Sequence, residues 1–368
     1  MRGRKQGQMS MACLLDVETM IPVKHPIRAI KGILGVVLRE MDAHFEELYA
    51  TEGRPSIPPE RLLMAKVLMA LYTIRSERQF CERLQYDLLF RWFLDLNPDE
   101  PVFDHSTFSQ NQTRLLQHKV ADLFFAQVVW FAKAKHWISN QHFSVDGTLI
   151  EAWASLKSFK EKEAKKDDDP KSSPGDGNGW SDFKGEKRSN DTHESTTDPE
   201  AKLVRKGNGR EAKLCFAGHA TMENRNGLCV LFEVRPAVGA PESAVAVEQV
   251  KELQERGFNL STVGADAGYC SQSFINGLRA RQVVPHPAAC KRRRTLGVRI
   301  GSLAYALSQR SRRRIENIFG WAKSIGCLRR SHHRGVERTH AASQYIVATC
   351  NLVRMAKLLL GLPASARA

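Results

Sequence analysis

From about Lys157 to Gly209 the chain runs through a polar stretch whose core reads KEKEAKKDDDPKSSPGDGNGW. Rich in Lys, Asp, Gly, Ser and Pro, it cannot bury enough apolar surface to offset the entropy of ordering it. Any fold for this chain has to close around that segment, which reads as a flexible surface insertion. The patterns on its two sides differ. The first 135 or so residues read as helical, and the segment after the stretch alternates strands with helices.

Apolar residues recur at helical spacing from Ile27 to about Tyr49 (Ile30, Ile33, Val37, Met41, Phe45, Leu48). A turn at Gly53–Ser56 follows. Pro58 and Pro59 then suit the first turn of a helix that runs through Leu71. Ser76 with Gln79 three residues on is a capping pattern for a helix to about Tyr86. After Asn97-Pro98-Asp99, Asp104 or Ser106 can cap a third helix towards Gln117. Three short helices with tight turns suggest a helix-turn-helix arrangement. The third carries Gln110, Asn111 and Arg114, side chains able to contact base edges and phosphates. The polar face of a packed helical bundle accounts for them equally well.

Beyond residue 135 the character changes. His142–Asp146 alternates like a short strand ending on an acid. Past the polar stretch, Lys213–Met222 and Leu228–Val234 read as strands joined by an Asn-Gly hairpin turn. An amphipathic helix over Pro241–Arg256 leads to a strand, Leu260–Asp266, that ends on a second aspartate. A short helix at about Ser271–Ala280, a short strand at Val283–Pro285 and helices at about Tyr305–Ile325 and His340–Leu360 complete the pattern. This order predicts an α/β chain with a mixed sheet flanked by helices, behind an all-helical N-terminal domain.

The charge balance narrows the partner. A formal net charge of +15 points to a polyanion, most commonly nucleic acid. No apolar run approaches the roughly 18–20 residues that cross a bilayer, so no membrane association is expected. The basic start, Met1-Arg2-Gly3-Arg4-Lys5, lacks the apolar stretch of a secretion signal. The eight cysteines are scattered singly with no CxxC pair, which argues against structural zinc and a disulfide framework and for the cytoplasm.

Three acidic residues stand out by context. Asp146 and Asp266 are placed at strand ends, where loops leave room for a substrate. Glu316 lies among Arg310, Arg312, Arg313, Arg314 and Lys323. At 3.6 residues per turn, Gln309, Arg312, Glu316 and Lys323 fall on one helix face. Surface pairing within that helix would contribute only about 0.3–0.5 kcal/mol per pair. A carboxylate for a hard cation, set beside cations for a phosphate, explains the face better.

The strings SVDGTLIEAWAS from Ser144, GADAGY from Gly264 and SQRSRRRIENIFGWAK from Ser308 resemble the three acidic motifs of insertion-sequence DDE transposases. The group they are most similar to is the bacterial InsH-like one, named after insertion sequence five. GRPSIPPERLL from Gly53, YTIRSERQFCERLQYDLLFRWF from Tyr72 and FDHSTFSQNQTRLL from Phe103 are similar to that group's helical N-terminal domain. The resemblance runs from about Pro22 to Met355.

It implies an RNase H-like catalytic core over 136–338, a helical DNA-binding domain over 1–135, and a C-terminal helix over 339–368 packed on the core. It further implies Asp146, Asp266 and Glu316 as ligands of two Mg²⁺ ions, with Mn²⁺ as a substitute. The implied reaction cuts double-stranded DNA at the element's terminal inverted repeats and joins the ends to target DNA, in a homodimer when two ends are bound. Arg312, Glu316 and Lys323 fit the family's third-motif spacing. Gln309 stands where a tyrosine is usual, and Ala267 where the second motif more often has lysine. Lys291, Arg292, Arg293 and Arg294, with Arg314, Arg329, Arg330 and Arg334, are expected to follow the DNA backbone. His219 and His286 are expected in the core or behind the site, and Trp153 and Trp321 in packing. Cleavage without strand transfer, or DNA binding without catalysis, are the alternatives.

Overall fold

The computed structural model describes residues 16–48, 56–162, 189–205, 207, 211–289, 298 and 300–362. Its first part is helical throughout: α1 (Val17–Met20), α2 (Pro26–Glu40), α3 (Asp42–Leu48), α4 (Pro59–Leu71), α5 (Glu77–Tyr86), α6 (Leu88–Phe93), α7 (His105–Gln117) and α8 (Val120–Ala134). The start signals act as expected. Pro59 opens α4, the Ser76 hydroxyl accepts from the Gln79 amide at 3.5 Å, and the Asp104 carboxylate accepts from the Ser106 amide at 2.7 Å.

Two details differ from the sequence reading. The first long helix is interrupted at Met41, whose side chain is fully buried and whose backbone (φ −95°, ψ −3°) closes one helix before the next begins. The additional helix α6 starts at Asp87, whose carboxylate accepts from the Phe90 amide at 3.1 Å.

The sheet follows: β1 (His142–Glu151), β2 (Phe159–Glu161), β3 (His193–Ser195), β4 (Lys202–Arg205), β5 (Ala212–Glu223) and β6 (Leu228–Pro236), then α9 (Glu242–Glu255), β7 (Thr262–Ala265), α10 (Gln272–Arg279) and β8 (Val284–Pro287). Helices α11 (Leu303–Arg312), α12 (Ile315–Ser324) and α13 (Val336–Leu359) end the fold. Strand β5 lies antiparallel between β1 and β6, while β7 and β8 add parallel on the other side of β1. Three antiparallel strands followed by two parallel ones, with helices packed on the sheet, make an RNase H-like core.

Asp146 is not at a strand end, as the sequence suggested, but inside β1 opposite Ala220. The expected flexible insertion is ordered at its flanks. Strands β2 and β3 pair as a two-stranded ribbon, and β4 extends the main sheet against β5. Buried Phe159 and Ala201, with half-buried Leu203, anchor these flanks to the core; residues 163–188 lie outside the described residues.

Helix α13 ties the helical part to the sheet, packing on α8, α2, α4 and β6. Asn351 both accepts from the Cys229 amide (2.9 Å) and donates to its carbonyl (2.7 Å), and Gln344 donates to the Phe232 carbonyl at 2.8 Å. Asn351 is thereby satisfied through both its oxygen and its nitrogen, as burial requires. One cluster of buried apolar side chains runs from Ile21 to Ala356. Among the described residues no helix is long and apolar enough to cross a membrane, and the six described cysteines are free thiols.

Candidate active site

Strand register brings the two aspartates together. Ser144 of β1 pairs in parallel with Gly264 of β7, so two residues further on Asp266 leaves its strand beside Asp146. Asp266 Oδ1 accepts from the Gly268 amide at 2.8 Å, which fixes the carboxylate at the start of the short turn Ala267–Tyr269. Asp146 Oδ1 accepts from the Gly147 amide at 2.9 Å. Burial pushes the Asp146 carboxyl up to about 6; the Gly147 amide opposes this, and the Asp266 and Glu316 carboxylates add to it. Arg312 pulls in the other direction. Three acids and an arginine therefore share one electrostatic environment.

They also share one cavity. It has a volume of about 1010 Å³ and is lined by Asp146, Glu242, Asp266, Arg312, Glu316 and Lys323, with Arg329 and His219 at its wall. His219 is buried, and desolvation holds its imidazole down at about 4, so it adds no charge at neutral pH. The other histidine, His286, is buried edge-on to the Tyr305 ring at 5.6 Å and does not line the cavity.

Among the described residues no three His, Cys, Asp or Glu side chains are close enough to form a ready-made cage for one ion. A half-buried carboxyl raised first by burial and further by two acidic neighbours is a place where a cation relieves the cost of ionisation. The donor set fits a hard divalent ion.

Glu316 and Arg312 do not share one helix. The chain leaves α11 at Arg312 and enters α12 at Ile315, with Arg313 and Arg314 between. Arg314, though exposed, donates through one guanidinium nitrogen to the carbonyls of Asn224 (2.9 Å) and Arg225 (3.0 Å), clasping the β5–β6 turn. Gln309 likewise turns inward. Its amide donates to the Ala265 carbonyl at 3.4 Å and to the His286 carbonyl, binding the ends of β7 and β8 together.

On α7, Asn111 is buried, donates to the Thr107 carbonyl at 2.9 Å and accepts from the Ser56 hydroxyl at 3.0 Å. It is a packing residue rather than a reader of bases. Gln110 and Arg114 remain exposed on that helix. Arg330 spends its guanidinium on the Ala152 and Trp153 carbonyls and lies 5.4 Å from the Trp153 ring. Trp153 is exposed, Trp321 half-buried, and Arg334 exposed. Lys291, Arg292, Arg293 and Arg294 lie outside the described residues.

Two residues of the site escaped the sequence reading. Glu242 is the first residue of α9, and the buried Tyr269 is hydrogen-bonded to it. The available signal was an acid directly after Pro241 at a helix start, which commonly marks nothing more than a favourable helix terminus.

The family model described as Transposase DDE domain matches residues 139–352, which hold every acidic residue of the cavity. The chain belongs to the DDE transposase family. A second model, Transposase domain (DUF772), matches residues 15–114 of the helical part. No curated protein matches the chain significantly.

Among solved structures, one similar to the transposase is the piggyBac transposase synaptic complex with hairpin DNA, at 8% identity and TM-score 0.42, covering 94% of this chain and 78% of that one. Another is the Mos1 transposase paired-end complex with left transposon end, at 9% identity and TM-score 0.21, covering 76% of this chain and 81% of that one. The transposase acts by DNA cleavage and strand transfer, in a family that uses divalent metal ions.

Proposed function

We propose that Asp146, Asp266 and Glu316 are the catalytic carboxylates of this transposase and that together they hold two Mg²⁺ ions, for which Mn²⁺ substitutes. The carrying observation is that three carboxylates from β1, the end of β7 and α12 line one cavity with Arg312 and Lys323. When bound, such ions polarise phosphate oxygens and activate the attacking hydroxyl at neutral pH.

The chain's own groups do the rest. Backbone amides of Gly147 and Gly268 hold the two aspartates in orientation. Arg312 and Lys323 set positive charge on the cavity wall, where a DNA phosphate is neutralised as it enters. Arg329, at the same wall, continues that charge outward. Neutral His219 leaves the balance between acids and bases undisturbed.

The substrates in this reading are double-stranded DNA ends carrying the element's inverted repeats, and target DNA in the cytoplasm. Residues 1–135 bind the ends, with exposed Gln110 and Arg114 of α7 touching the DNA. Residues 136–338 perform the chemistry and 339–368 brace the core. Two ends are held by a homodimer.

The test supplies pre-cut element ends, a target plasmid and Mg²⁺, and measures joined product alongside DNA binding. Asp146→Asn, Asp266→Asn and Glu316→Gln are each expected to lower strand transfer on the order of 10³-fold or more with binding retained. Wild-type cleavage of uncut ends without any joined product would make the chain a nuclease instead. Joined product from any of the three variants at the wild-type rate would remove that residue from the triad.

A further inference from the structure

The carboxylate cavity has a fourth acid that the triad does not use. Glu242 is the first residue of α9. Its side chain lies against Gly147, the residue following Asp146. A methyl group built on Gly147 would stand 2.8 Å from Glu242 Oε1 and 3.1 Å from Oε2. Its other neighbour is Tyr269, in the turn that follows Asp266; the phenol is buried and hydrogen-bonded to the Glu242 carboxyl. The Glu242 carboxylate also lies within electrostatic range of Asp266.

Glu242 is thus seated between Gly147, which directly follows Asp146, and Tyr269, three residues after Asp266, and it opens onto the same cavity as the two aspartates. A surface glutamate with only a helix-terminus role needs neither the missing side chain at 147 nor a buried tyrosine to orient it. Pressing a further carboxylate against Asp266 raises the like-charge repulsion of the cluster. That cost is offset when a cation lies among the acids.

Building on the triad reading, we propose that Glu242 is a fourth carboxylate of the divalent-cation site, with Gly147 and Tyr269 positioning it. Four acids against two ions would leave each ion fewer uncompensated charges before the phosphate enters. Loss of Glu242 should then weaken the ions' hold even with no DNA present.

The experiment titrates Mn²⁺ alone into the full chain and reads bound ion from loss of the free-Mn²⁺ electron paramagnetic resonance signal. Circular dichroism and a melting curve in EDTA check each variant's fold. Glu242→Gln is expected to weaken Mn²⁺ binding about 10–100-fold, and Tyr269→Phe by less. Gly147→Ala keeps every carboxylate but displaces Glu242, and is expected to weaken Mn²⁺ binding as Glu242→Gln does; it decides the matter if Glu242→Gln does not fold. Asp146→Asn separates the two readings. If Asp146→Asn loses Mn²⁺ while Glu242→Gln and Gly147→Ala bind within twofold of wild type, Glu242 is no ligand and the triad stands. If Asp146→Asn binds Mn²⁺ as wild type does, the triad reading itself fails.

Discussion

Replacing the aspartate at the centre of the cavity should make the metal-free protein more stable. The Asp146 carboxyl is raised from an ordinary 3.8 to about 6. Its folded environment therefore favours the protonated form. The folded state binds more protons than the unfolded one between these values, so stability falls as pH rises from about 4 to about 6. At about 1.4 kcal/mol per tenfold change in proton affinity, ionised Asp146 costs at most about 3 kcal/mol above that window. Asn at 146 keeps an oxygen to accept from the Gly147 amide and removes the charge. At about 2–4 °C per kcal/mol for a domain of this size class, Asp146→Asn should melt above wild type at pH 8 in EDTA, by at most roughly 6–12 °C. The gap should shrink to roughly a third by pH 4.5. Divalent ion at a hundredfold excess over its dissociation constant stabilises by about 2.7 kcal/mol. It should therefore bring wild type up to the variant, which gains little itself. Scanning fluorimetry at both pH values, with and without Mn²⁺, measures all of this. An Asp146→Asn protein melting at or below wild type in EDTA at pH 8 would refute the reasoning, because the cost of the buried, like-charged carboxylate would then not exist.

Arg312→Ala and Lys323→Ala should each lower the steepness of DNA affinity against log salt by about 0.9, since each variant leaves one phosphate without its cation; fluorescence anisotropy between low and moderate salt measures the slope. Arg314→Ala should leave that slope unchanged and instead lower the melting temperature, since two hydrogen bonds from a charged group to the Asn224 and Arg225 carbonyls are worth about 1–3 kcal/mol. Gln309→Ala should behave like Arg314→Ala, destabilising by about 1–3 kcal/mol as the β7 and β8 carbonyls lose their donor; a lowered salt slope would return Gln309 to the DNA interface.

The spacing of Arg312, Glu316 and Lys323 was readable in sequence even though the helix it assumed is broken. The interruption lies in the hydrogen-bond ladder rather than in the path. Arg313 (φ −57°, ψ −17°) and Arg314 (φ −69°, ψ −21°) stay close to helical dihedrals, so residues 312 and 316 still lie about one turn apart. Asp146 was identifiable as an acid in a strand, but Gly147-Thr148 looked like a turn because alternation alone cannot tell a continuing strand from an ending one. Polar side chains were the least legible. Gln309, Arg314 and Asn111 have the chemistry of DNA ligands, yet each is bound to the protein's own groups. Whether a side chain turns inward depends on which carbonyls the fold leaves unpaired, a property of the tertiary structure. Glu242 was missed for the same reason, since its neighbours Gly147 and Tyr269 are remote in sequence.

The cavity's dimensions depend on a second close approach besides the one at Gly147. A methyl group on Gly264 would stand 2.8 Å from the Ser308 hydroxyl and 3.5 Å from that of Ser144, so α11 lies on β7 at a separation only glycine allows. Gly264 precedes Asp266 by two residues and Ser308 precedes Arg312 by one helical turn. This close approach therefore sets how far the arginine stands from the aspartate. Gly264→Ala should cost about 1–3 kcal/mol through overpacking. It should also push α11 outward, and a displacement approaching 1 Å at reacting groups costs up to about 10²-fold in rate. The Ser308 hydroxyl has no hydrogen-bond partner, so Ser308→Ala alone should be nearly neutral, and the double variant Gly264→Ala, Ser308→Ala should recover most of the stability and strand transfer. That recovery is the decisive measurement. If Gly264→Ala is impaired and Ser308→Ala does not relieve it, the defect lies in β7 itself and the helix–strand separation does not set the site.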